Sequence, residues 1–263
     1  MKKATSEWRW STRLARVGLV LAIGAIALAL IGAYGAGQNW WAKADGVAAL
    51  RTAFLSAVLA LAIAISLLVV HRRHSRFIVR NSLAALVLGG GYVAFVGYYI
   101  YLGLSLPPIH DISTDLTDPP QFEKLSLRSD NWSDIPGRGD PDFAGLDAKA
   151  RWAQIQRSAY GDIRPLHLST DGARTFALVK RLMAERGWHI AYADAGNGHI
   201  EAVDEVSLLR FLDDIVVRIR PDAVGQGVIV DMRSVSRRGR SDFGKNAARI
   251  ESFFDDLQEA ADQ

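Results

Sequence analysis

AALRTAFLSAVLALAIAISLLVV, residues 48–70, holds one charged side chain, Arg51, in 23 positions. A helix of about 20 apolar residues crosses the hydrocarbon layer of a bilayer, and no polar stripe recurs here at the helical spacing that marks a solvated helix. Arg51 lies near the end of the run, where a long side chain reaches the interface. Outward from this stretch lie two more runs of the same kind, Leu14–Gly35 and Ser82–Leu106, neither with an acidic residue. Residues 1–106 therefore read as a membrane region with three transmembrane helices at about 14–35, 48–70 and 82–106, and residues 107–263 as a separate soluble domain.

Flanking charge gives the expected orientation. Lys2, Lys3, Arg9, Arg13 and Arg16 precede the first span, and Arg72, Arg73, Arg76 and Arg80 lie between the second and third. The loop between the first two spans offers Lys43, or Lys43 and Arg51 with a later boundary, and Lys124 is the first cation after the third span. The positive-inside rule then puts the N-terminus and the His71–Arg80 loop in the cytoplasm and the C-terminal domain on the periplasmic side of an inner membrane. Trp40, Trp41, Tyr98, Tyr99 and Tyr101 sit where interfacial aromatic anchors belong. The first run exceeds the apolar core of a signal peptide and two spans follow it directly, so it reads as a retained span. Ala25, Ala29 and Ala33, with Gly91, Gly97 and Gly103, suggest close helix packing. His71-Arg72-Arg73-His74 reads as a cationic loop drawn to anionic headgroups rather than a metal site, since no carboxylate stands near it.

Bulk composition averages two unlike halves. Residues 1–106 hold 11 Lys and Arg against 2 Asp and Glu, and residues 107–263 hold 20 against 26, giving a net charge of +3. The basic excess flanks the spans, so it signals membrane orientation and not nucleic-acid binding. Cysteine is absent, which excludes disulfides, thiolate catalysis and Cys-based metal centres.

After Pro107-Pro108 an extended stretch runs from Ile109 to Phe122, broken by Pro119-Pro120. Residues 123–147 read as irregular coil and 148–159 as a short helix. Ser169, Thr170 or Asp171 caps a helix carrying Phe176, Val179, Leu182 and Met183 that stops at Gly187. Trp188–Ala193 and His199–Val206 read as strands joined through Gly196-Asn197-Gly198. Asp214–Arg220 and Gly227–Ser236 form a second pair around Asp222–Gly225, and Asn246–Ala261 a last helix with Ala247, Ile250, Phe253, Phe254 and Leu257 on one face. The expected fold is α+β, an antiparallel sheet with helices packed on one face.

Strand alternation sorts the side chains. Ile200, Ala202, Ile215, Val217, Ile219, Val228, Val230 and Met232 can meet the helices, while His199, Glu201, Arg218, Arg220, Asp231 and Arg233 share the opposite face. Two readings of that face stand side by side. It is solvated or self-paired, with Ile109–Phe122 laid across it and Asp111 and Asp115 on the arginines. Or it is a cleft in which Arg218, Arg220 and Arg233 hold a carboxylate, phosphate or sulfate. The basic loop from Arg233 to Asn246 runs into a helix N-terminus, which favours anions, although Asp242 stands at the cap. The candidate ligand-binding set is Arg218, Arg220, Arg233, Glu201, Asp111, Asp115, Arg237, Ser241, Asp242 and Asn246.

The same residues carry a family resemblance. Ile109-His110-Asp111-Ile112-Ser113-Thr114-Asp115, Pro119-Pro120, Phe122, Ile200-Glu201-Ala202, Phe211, Asp213-Asp214 and Arg218 begin the match. Asp231, Arg233-Ser234, Ser236-Arg237, Gly239, Ser241-Asp242, Gly244, Asn246 and Arg249-Ile250 complete it. Over about residues 107–258 the chain resembles the bacterial domain-of-unknown-function family 1499. The resemblance implies a shared fold and a shared site, and members with preceding membrane spans. It implies no activity.

No Walker loop, G-x-S-x-G elbow, H-E-x-x-H or G-x-G-x-x-G signature appears. Catalysis would have to pair His110 or His199 with Asp111, Asp115, Glu201 or Asp213; His167 and His189 add no ligand spacing. No metal and no cofactor is implied. Three classes of function follow: a membrane-tethered module for an anionic small molecule, lipid headgroup or other envelope component; a structural or assembly factor engaging an envelope protein; and a hydrolase. An open arginine cleft favours the first and a closed, self-paired face the second.

Overall fold

Helices form over all three apolar runs: α1 (Lys2–Gly37), α2 (Lys43–His71) and α3 (Arg76–Ser105). The computed structural model describes residues 2–71, 75–206, 208–223 and 227–263, with side chains from residue 9 onward. Arg72, Arg73 and His74 of the expected cationic loop, and the side chains of Lys2 and Lys3, lie outside the described residues. Arg9–Gly37, Lys43–His71 and Arg76–Ser105 are each long and apolar enough to cross a membrane. Two compact units divide the chain, the first made mainly of residues up to Tyr101, the second of Leu102–Val206 and Phe211–Gln263.

Small side chains pack the helical unit. Ala25 and Ala29 of α1 meet Ala53 and Ala57 of α2, and Ala22, Ala60, Ala64 and Ala85 bring all three helices together. A Cβ on Gly32 would lie 2.3 Å from that of Ala49, so the α1 and α2 backbones close to a distance that glycine allows. Gly91 and Gly97, expected to pack likewise, face open space, and Gly89 is the glycine set against α2, beside the Ala57 carbonyl. Glycines six residues apart are not on one helix face, which is why that spacing misled. Lys43 Nζ donates to the Ala36 carbonyl at 2.7 Å, a cation at the C-terminal end of α1. Leu55, Val69 and Val87 are 68%, 72% and 71% exposed. An outer surface of that character suits lipid and not water.

Among the described residues the second unit contains a six-stranded antiparallel sheet. Its strands are β1 (Asp111–Ser113), β2 (Leu166–Leu168), β3 (His189–Asp194), β4 (His199–Val206), β5 (Phe211–Pro221) and β6 (Val228–Ser236). The order is β1-β6-β5-β4-β3, with β2 beside β1 on the same edge of β6. Four strands were expected; β1 and β2 add to them. Each is three residues long, too short for alternation to reveal, and each exists because β6 offers an edge: Asp111 faces Val235 and Leu166 faces Val230. Residues 224–226 of the expected turn after Asp222 lie outside the described residues.

Helix α4 (Ala148–Ala159) is capped by Asp147, and α5 (Gly172–Glu185) by Asp171, whose carboxylate accepts from the Arg174 amide. Gly187, at φ 74°, ends α5 in the left-handed region that glycine enters without strain. The last helix, α6 (Lys245–Asp262), lies with α5 on one face of the sheet. Val179, Leu182 and Met183 of α5 and Ala247, Ile250, Phe253 and Leu257 of α6 form one core with the inward set of β4, β5 and β6, from Ile200 to Met232. Trp188 stacks on Phe253 at 5.3 Å, closing the core beside β3. The sheet is thereby apolar on one face and charged on the other.

Candidate functional site

The face turned away from α5 and α6 is covered. Residues 109–125 leave the edge strand β1 and cross it as a strap, and each arginine expected to hold a ligand has a carboxylate of the chain itself.

Arg233 is the centre. Its Nε and Nη2 donate to Asp111 Oδ1 and Oδ2 at 2.9 and 2.7 Å, and its Nη1 donates to the Pro120 carbonyl at 3.2 Å. The side chains are 1% and 0% exposed. The rings of Phe122 and Trp132 flank the guanidinium at 6.0 and 5.8 Å. Asn131 Nδ2 donates to Asp111 Oδ2, and Asn131 Oδ1 meets His110 Nε2 at 3.1 Å. Trp152 Nε1 donates to the Asp111 carbonyl, while the Gln156 amide brackets the Ser113 backbone, accepting from its N–H and donating to its C=O. Helix α4 thus fixes β1 from outside the sheet.

Toward the other end of β6, Asp231 lies opposite Arg218 and diagonal to Arg220. Asp231 Oδ2 accepts from Arg218 Nη2 at 3.0 Å and Arg220 Nε at 2.9 Å; its buried Oδ1 has no partner among the described residues. Asp118 of the strap takes Arg218 Nη1 at 2.7 Å, and Asp115 stands 3.7 and 3.6 Å from Arg218 and Arg220. Arg220 is 43% exposed, the most open of the three arginines.

Glu201 is an occupant, not a donor of binding. The backbone amides of Glu123, Lys124 and Leu125 all point at its carboxylate, and His199 Nε2 meets Oε1 at 2.8 Å. Successive amides aimed at one anion form a nest, and the chain fills it with its own side chain. Burial pushes the Glu201 pKa up, but the Leu125 amide, His199 and the other two amides outweigh it and hold the carboxyl below its ordinary value.

The remaining candidates lie elsewhere. Arg237 forks onto Asp214, whose pKa burial raises in spite of that pairing. Ser241 Oγ accepts from the Phe243 amide. Asp242 accepts from the amides of Gly244 and Asn246, filling the α6 N-terminus internally, and burial raises its pKa. Asn246 joins a second buried network on the helix side of β6, bonding Ser234, Ser236, the His110 carbonyl and Arg249. Arg249 also donates to Asp204 and Asp213. An open hollow of about 450 Å³ adjoins it, lined by Arg186, Trp188, Asp204, Lys245, Ala248, Arg249 and Ser252.

The structure brings Asp111, Asp115, Arg218, Arg220 and Arg233 together on one face, an arrangement that was one of the two readings of the sequence. Sequence reading missed Asp118, Asn131, Trp152 and Gln156, which lie in coil or on a short helix where no periodicity marks their direction. Arg249 and Asp213 stand within the family-like motif, and that was the available signal for the second network.

Removing one partner of the Arg233–Asp111 pair leaves a buried charge uncompensated. Asp111→Ala is expected to cost about 3–5 kcal/mol, read as a lower denaturant midpoint of the full chain in detergent. The double variant Asp111→Leu/Arg233→Met recovers much of it, and a coupling energy near zero across the cycle would remove the pair from its central place. Glu201 predicts a pH effect. Because its folded pKa is depressed, its contribution is present above the unfolded value and is lost as pH falls through the folded one. Exchange of the Leu125 amide, corrected for the intrinsic rate, should accelerate only as pH falls below the ordinary glutamate range, and be fast at all pH in Glu201→Gln. Equal protection in the two proteins would contradict the nest.

A search of curated proteins finds no match. A family model, described as protein of unknown function (DUF1499), matches residues 111–257, from the aspartate that meets Arg233 to the last buried leucine of α6. With more than half of its length matched, the chain belongs to this DUF1499 family.

Proposed function

We propose that the chain is a structural or assembly factor of the cell envelope, anchored by its three spans in the inner membrane with the C-terminal domain on the periplasmic side. One observation carries this: residues 109–125 seal the charged face with the chain's own carboxylates and carbonyls, Arg233 being 1% exposed. A face closed in this way stiffens the domain and leaves recognition to its outer surfaces. The orientation rests on the cations in the N-terminal half of α1 and on Arg76 and Arg80 at the start of α3, against Lys43 at the start of α2, whose ammonium donates to the Ala36 carbonyl. A reporter fused after Gln263 that fluoresces only in the cytoplasm should stay dark, and a bright signal would reverse the orientation.

A second reading keeps the candidate ligand-binding residues in play. Arg220 is 43% exposed beside Arg218, so a carboxylate or phosphate group could displace Asp115 and Asp118 from the arginines. Inorganic phosphate then raises the unfolding temperature of the full chain by mass action, and Arg218→Gln/Arg220→Gln abolishes the rise. The assembly reading expects no saturable rise in either protein.

A further inference from the structure

The loop between β6 and α6, Arg237 to Gly244, is basic, rigid and placed at the end of a membrane span. Its only acidic side chain, Asp242, is turned inward and accepts from the Gly244 and Asn246 amides at the start of α6. Arg237 is paired with Asp214, but Arg238 and Arg240 are exposed and have no ion pair among the described residues. Arg128 holds the turn from below, donating to the Gly239 carbonyl at 2.6 Å and more weakly to that of Ser236. The Asp242 amide is tied to the Ile109 carbonyl. Flexible surface arginines need no such bracing.

Phe243 is the second sign. It adopts φ 55°, a left-handed conformation that costs a non-glycine residue roughly 1–2 kcal/mol, and its ring is 39% exposed. The ring lies against Gly103: a Cβ there would stand 3.2 Å from Phe243 Cε1. Leu106 packs over Gly244, where a Cβ would be 3.0 Å from its Cδ1. Gly103 and Leu106 bound the last turn of α3, the part of that helix that counts with the second unit. The apolar run ends there. Leu104 on the same turn is 83% exposed.

We infer that Arg238, Arg240 and Phe243 form a foot that rests on the bilayer holding α3 and binds anionic phospholipid headgroups. Two unpaired cations complement the phosphate charge, and an aromatic ring between them and the span end fits the interfacial zone. The inference goes beyond the assembly reading and stands without it, since the foot meets whichever leaflet α3 ends in.

The test is amide hydrogen exchange of the full chain reconstituted in vesicles. Residues 238–244 should exchange about twenty-five-fold more slowly in equal phosphatidylglycerol and phosphatidylcholine than in phosphatidylcholine alone, each of the two cations near an anionic surface contributing roughly a factor of five. Arg238→Gln/Arg240→Gln should remove that difference while β5 and β6 exchange as in the native chain, which shows the fold intact. High salt should also remove it. Equal exchange in both lipids, a difference that survives in the double variant, or the same protection from inorganic phosphate in phosphatidylcholine vesicles would each overturn the assignment.

Discussion

Arg233 and Asp111 stand at the centre of the second unit, a guanidinium and a carboxylate with almost no contact with solvent. Taking two charges out of water costs several kcal/mol each after relaxation, and their attraction offsets this only when the geometry is good and the other polar atoms are satisfied. Both conditions hold. The contact is forked, the third guanidinium nitrogen has the Pro120 carbonyl, the carboxylate has Asn131, and two aromatic rings flank the cation. From this pair follows the rest: β1 is held on β6, the strap lies across the face, and α4 is set by Trp152 and Gln156 against β1. A chain with no cysteine staples its longest coil by charge.

Strand β6 serves two polar layers through its alternation. Asp231 and Arg233 pin the strap on one side, while Ser234 and Ser236 meet Asn246 on the other, with Arg249 completing that layer. The helix-side network sits at the end of an otherwise apolar core, where Arg249 reaches Asp204 and Asp213. Each layer is largely satisfied internally, and satisfied buried networks of this kind rigidify the sheet they flank.

The three apolar helices, the inward apolar set of β4, β5 and β6, and the cap at Asp171 were legible because each depends on local spacing, whereas the cap expected at Asp242 falls on Gly244. Their signals are periodicity and capping chemistry, which a sequence carries in the open. The laying of Asp111 over Arg233 was readable as one of two alternatives, since charge complementarity names partners but not distances. Strands β1 and β2 were not readable, because a three-residue strand is defined by the edge it meets. Nor was the role of Glu201. A carboxylate that receives three amides looks in sequence like one that binds a ligand, and only the placement of residues 123–125 separates the two.

Pairing of β1 with β6 also bears on how the chain is made. Asp111 emerges 122 residues before its partner Arg233, and the edge that β1 extends does not exist until β6 has been synthesised. Closing so long a loop is slow relative to local helix formation. The second unit therefore folds as one late event, after its membrane helices are complete. Until then the strap carries Asp111, Asp115, Asp118 and the Pro119-Pro120 pair, a composition that disfavours premature collapse.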